Sequence, residues 1–180
     1  MIDRKNLGLL ILILVVSGVV AVLNPRFLSP VNLSNTANLI GLFGIFAIAQ
    51  AFVIISGGIE LSSGSVIALL GVIFVDLVGN DVLSPASATV LVLALGALIG
   101  ALHGVLVARV GLQPFVVTLC GLLIYRGIAR YYTEDATAGF AFGASFPGLE
   151  WLTTGRLLGV PNSLTAMLVI ARLTGVFLHR

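Results

Sequence analysis

Between Ala86 and Ala108 the chain carries no charged side chain. Such a stretch has few places to go. About 20 apolar residues in an α-helix cross the hydrocarbon core of a bilayer. The stretch is one of about six: Leu7–Leu23, Ala37–Ile55, Val66–Val78, Ala86–Ala108, a run from Pro114 into Arg126 and Arg130, and Ser163–Leu178. Charge is scarce throughout. Of 180 residues, 59% are hydrophobic and 9% charged, against roughly 25% charged in a soluble domain. So few charges cannot cover a soluble surface. A soluble enzyme, a disordered chain and a nucleic-acid binder are excluded; a net charge of +2 makes no phosphate-binding face. Cys120 stands alone, which excludes a disulfide framework and a multi-cysteine metal site. The solvent is the lipid bilayer. The expected architecture is all-α, a polytopic transmembrane helical bundle of about six spans. Residues 1–180 form a single transmembrane region, with spans near 7–23, 37–55, 64–80, 86–108, 114–130 and 163–178, and an extracytoplasmic loop near 131–162.

Arg4 and Lys5 precede the first run, as in a signal peptide, but no small-x-small site closes it and Asn24-Pro25-Arg26 follows. An uncleaved first helix is the favoured reading. Asn24 to Asn35 reads as a loop, because Pro25 and Pro30 lack donors and Asn and Ser favour turns. The basic residues favour an inside N-terminus, with Arg4, Lys5, Arg109, His179 and Arg180 cytoplasmic and Arg26, Arg126, Arg130 and Arg156 towards the outside. Arg172 interrupts the sixth run and predicts that it inserts poorly.

The segment Ser56 to Ser65 carries the most information. Gly57-Gly58 ends the second helix, since glycine tolerates positive φ, and Ser62 or Ser63 can cap the next one. Two readings stay open. In one, this is an interfacial turn between two spans. In the other, it is a broken helix lining a translocation path, with Glu60 facing a watery cavity. On the second reading the path candidates are Gln50, Gly57, Gly58, Glu60 and Ser62.

Gly96, Gly100 and Gly104 recur at i, i+4 and i+8, a stripe that admits a second helix closely. They are candidate helix-packing residues, within the chain or against another subunit. His103 beside them reads as a hydrogen-bonded packing residue rather than a ligand, for lack of a second histidine nearby. Gln113-Pro114 reads as a helix start, with Thr118 and Cys120 inside that helix. No phosphate loop occurs, and Lys5 is the single lysine; no nucleophile elbow or zinc-protease motif occurs either. The expectation is no catalytic, cofactor-binding or metal residue. If ATP drives this protein, another chain hydrolyses it.

Gly57-Gly58-Ile59-Glu60-Leu61-Ser62-Ser63-Gly64-Ser65 resembles the G-G-I-D-L-S-x-G-S signature of ribose/xylose/arabinose-type permeases of ATP-binding-cassette (ABC) importers, with Glu60 for the usual Asp. Gln113 to Leu119, followed by Leu123-Ile124-Tyr125-Arg126-Gly127-Ile128-Ala129, resembles a second block of that family, and Asn32-Leu33 also fits. The resemblance covers essentially the whole chain. It implies the membrane subunit of a monosaccharide importer in the bacterial inner membrane, incomplete relative to the family. The chain would then be the N-terminal half, as a truncated product or with the C-terminal half encoded separately. The implied partners are an ATPase subunit that uses the ATP, a periplasmic sugar-binding protein, a second permease copy or the missing half, and lipid. Two alternatives stay open: a secondary transporter or channel using Glu60, Asp76 or His103 as a proton relay, and a non-transporting fragment.

Overall fold

The computed structural model describes residues 4–178 apart from Phe142 and Leu158. Its helices are α1 (Arg4–Leu23), α2 (Pro30–Ile55), α3 (Ser63–Gly79), α4 (Pro85–Ala108), α5 (Pro114–Thr133), α6 (Pro147–Thr154) and α7 (Asn162–Leu178). A 3₁₀ turn (Pro25–Leu28) joins α1 to α2. Two short antiparallel strands, β1 (Arg156–Leu157) and β2 (Val160–Pro161), precede α7. The architecture is all-α, as expected. Asn6–Leu23, Pro30–Ile55 and Pro85–Ala108 are long and apolar enough to cross a membrane, and α3 and α7 are shorter apolar helices.

Two stretches differ from the sequence reading. The supposed loop up to Asn35 is already helix from Pro30 onwards. Proline at the first helical position loses only a donor that has no partner there anyway. Asn32 does not break the helix because its Nδ2 donates back to the Phe27 carbonyl at 2.7 Å. The stretch 131–162, read as a loop, contains α6 and the β1–β2 hairpin. The Trp151 carbonyl at the end of that region accepts from the Gly155 N–H at 3.0 Å and from Asn162 Nδ2 at 2.6 Å.

The chain divides into two compact units, residues 1–46 with 151–180, and residues 47–150. In the first unit α2 and α7 cross at small residues. Gly41 lies against the backbone of Ser163 and Leu164, and Gly44 against the Met167 side chain. The buried Ser163 hydroxyl is hydrogen-bonded to the Asn38 side chain at 2.5 Å. In the second unit α3 packs on α5 and α4.

The distribution of polarity is that of a protein in lipid. Large apolar side chains cover the outside, including Leu14 (62% exposed), Phe43 (69%) and Leu98 (66%). The buried set includes Ser62, Ser65, His103, Thr118 and Ser163. Without water to drive apolar residues together, helices meet through small residues and hydrogen bonds.

Arg172 lies within α7 on its exposed side, in line with Leu168 and Val176. His179 and Arg180, which the orientation reading also used, lie outside the described residues. An arginine near a helix centre costs about 2.5–3.5 kcal/mol on insertion scales. Arg172→Leu is therefore expected to raise the fraction of chains whose C-terminal reporter is stably placed on one side of the membrane. An unchanged fraction would contradict that expectation.

Candidate functional site

The break between α2 and α3 is built locally by its glycines. Gly57 has φ +78°, a conformation that glycine adopts at little cost. The Gly57 N–H donates to the Ile54 carbonyl at 3.0 Å and the Gly58 N–H to the Val53 carbonyl at 2.9 Å. This crossed pair closes a Schellman helix end. A Cβ on Gly58 would meet Val53 Cγ1 at 2.9 Å, so the chain folds back tightly there.

Glu60 turns into the unit. Its Oε1 accepts from the Ser62 N–H at 2.5 Å and from the Ser62 hydroxyl at 2.6 Å. This corrects the expected capping. Ser62 holds the N-cap position of α3 with helical backbone angles (φ −83°, ψ −15°) in place of the extended ones of a capping serine; its side chain makes no cap hydrogen bond and donates to Glu60. Ser63 does not cap either: its Oγ accepts from Gln50 Nε2 at 2.7 Å, tying α2 to α3 across the break. A carboxylate beside the N-terminus of α3 is favourably placed for the helix dipole.

Two neighbouring helices hold the break. Thr118 on α5 donates through its hydroxyl to the Ile59 carbonyl at 3.0 Å, a bond shared with its own Pro114 carbonyl. On α4, His103 Nδ1 lies 3.8 Å from Glu60 Oε2. The other ring nitrogen, Nε2, is 3.0 Å from the Tyr125 hydroxyl of α5, with the two rings stacked. Glu60 and His103 side chains are 17% and 11% exposed. His103 lies about 8 Å of helix rise before the end of α4 and Thr118 about 6 Å after the start of α5. The break is thus seated inward from the α4–α5 connection, against polar side chains.

Among the sequence candidates, Glu60 and Ser62 are hydrogen-bonded to each other, Gln50 reaches Ser63 instead, and Gly57 and Gly58 shape the turn. The expected helix start at Gln113-Pro114 is present, with Gln113 at the N-cap. His103 is hydrogen-bonded and buried, as read, and it is also the partner of Glu60. Among the described residues, only Gly96 of the glycine stripe meets a neighbour, Leu70 Cδ1, at 3.2 Å from a notional Cβ. Beside Gly100 and Gly104 a Cβ would meet no atom of the described residues within 4 Å. The sequence reading passed over the roles of Thr118, Gly121 and Tyr125. Their spacing, i, i+3 and i+7, places them on one face of α5, and that was the available signal.

A second polar group occupies the far end of α3. Asp76 accepts from the Tyr132 hydroxyl at 2.6 Å and from Asn80 Nδ2 at 2.8 Å, beside an open cavity of about 460 Å³. Nearby, the Arg130 hydrogen bond holds the Asp135 carboxyl below its usual range. No cluster suited to a metal occurs among the described residues.

Residues 32–178 match the sequence family described as the permease component of the branched-chain amino acid transport system. The chain belongs to this family. It is 35% identical to the ribose import permease RbsC of Escherichia coli over 170 residues, covering 94% of this chain and 53% of that protein. It is 32% identical to RbsC of Bacillus subtilis over 174 residues, 97% of this chain and 52% of that one. The fructose import permease FruF of Bifidobacterium longum is 32% identical over 136 residues, 76% of this chain and 38% of that one. The chain thus spans about half the length of the curated relatives it matches. No solved structure matches it. The family is one of transport permeases rather than enzymes, and membership together with the long apolar helices makes this chain a multi-pass protein of the inner membrane.

Proposed function

We propose that this chain forms part of the pathway by which an ABC importer brings a monosaccharide across the bacterial inner membrane. The relatives named for ribose and fructose import support the sugar class. The observation that carries the reading is the unwound segment 56–62, with its carboxylate turned inward between α4 and α5. Irregular backbone inside a membrane protein is tolerated where it is buried in protein or lines a watery cavity. Gln50, Glu60 and Ser62 would give passing hydroxyl groups polar partners in place of water, without a tight site. The chain performs no covalent chemistry and carries no cofactor. A separate ATPase subunit hydrolyses ATP, a periplasmic binding protein delivers the sugar and sets its identity, and a second copy or a C-terminal half completes the pathway.

Uptake of labelled ribose or fructose by cells producing the transporter is the test. It is expected to stop on ATP depletion and to survive an uncoupler while ATP is maintained. The opposite pattern favours a proton-coupled transporter, the reading that the Glu60–His103–Tyr125 series supports next.

A further inference from the structure

We infer that His103 is the positioning residue of the break, with its Nδ1 proton directed at Glu60 because the Oε2 carboxylate oxygen faces that nitrogen, which leaves Nε2 to accept from the Tyr125 hydroxyl. A neutral imidazole has one N–H and one lone pair, and the hydrogen bond at one nitrogen sets the other. Glu60 Oε1 takes both Ser62 donors. Among the described residues, the group facing Oε2 is His103 Nδ1 at 3.8 Å. A lone pair on Nδ1 would oppose a carboxylate in a poorly solvated site, where like-signed partners repel strongly. A proton on Nδ1 removes that conflict and leaves Nε2 to accept from Tyr125, 3.0 Å away.

The surroundings are fitted to the ring. A Cβ at residue 121 would come within 2.9 Å of His103 Cε1 and 3.0 Å of Nε2, so α5 admits the imidazole because position 121 is glycine. The titratable groups in contact with the ring are Glu60 from the break and Tyr125 from α5. On α3 the titratable group is Asp76, engaged by Tyr132 and Asn80 at the other end of that helix. Cys120 and Arg126 of α5 and Arg109 after α4 are exposed.

The consequence for transport rests on the break being part of the pathway. His103→Asn, which keeps a donor near the Nδ1 position, should retain uptake better than His103→Gln, whose amide sits near Nε2. The tautomer does not depend on that reading. Nitrogen-15 spectra of histidine-labelled chain in detergent, with His179→Gln leaving one signal, report it directly above the pH of ring titration. The expected result is an Nδ1–H imidazole, with Tyr125→Phe moving the tautomer ratio about tenfold towards Nε2–H, the worth of one hydrogen bond. An Nε2–H imidazole in the chain with Tyr125 present overturns the inference, even if Tyr125→Phe fails to fold. So does a ratio that folded Tyr125→Phe leaves unchanged.

Discussion

Gly41→Leu is expected to lower the yield of folded protein in detergent at least about tenfold, while Gly100→Leu leaves it unchanged. The two positions look alike in sequence, each a glycine within a long apolar helix. Their surroundings differ. A Cβ on Gly41 runs into the backbone of Leu164 and Ser163, whereas one on Gly100 meets no atom of the described residues within 4 Å. Overpacking costs about 1–3 kcal/mol where side chains can rotate away. Backbone atoms cannot, so α2 and α7 must part, and the hydrogen bond between Ser163 and Asn38 parts with them. Size-exclusion profiles of the two variants decide the matter. Equal folded yields would contradict the crossing.

His103→Leu is expected to lower thermal stability in detergent, and adding Glu60→Gln is expected to recover most of the loss. The single change leaves Glu60 Oε2 against an apolar side chain. Removing the N–H that faces a poorly solvated carboxylate costs about 1–3 kcal/mol, because the charge loses a polar partner. The 17% exposure of the Glu60 side chain lets some water relieve it, so the lower end applies. The neutral amide of the double variant carries no charge to strand, while it still accepts from Ser62 through its carbonyl oxygen. Unfolding temperatures of the two single variants and the double variant complete the cycle. Additive losses, or a His103→Leu protein as stable as the parent, would contradict the pairing.

Some of this was legible in the sequence. Helices follow from unbroken apolar runs, the start of α5 from Gln113-Pro114, and the end of α2 from Gly57-Gly58, because each depends on residues close together in the chain. What the sequence hid depends on residues far apart. Ser62 has the right chemistry for a cap, yet its backbone is already helical and its hydroxyl donates to Glu60. The histidine reads as solitary until α4, α5 and the break are brought together. The regular stripe is Gly96, Gly100 and Gly104, while the close helix crossing uses Gly41 and Gly44, which share a helix face at i and i+3 but make too short a pattern to stand out. Asn32 reads as a breaker because its bond to the Phe27 carbonyl is invisible until the preceding turn is formed.

The role of the break in translocation is tested most directly by sugar uptake through a transporter carrying Glu60→Gln, normalised to its abundance in the membrane. The amide fills the same space and keeps the Ser62 bonds through its oxygen, so insertion should be little changed. It removes the charge that His103 faces and the strongest acceptor along the break. The predicted result is a fall in uptake of at least about tenfold at equal abundance. Uptake equal to that of the unaltered transporter would contradict it, and would make segment 56–62 an interfacial turn.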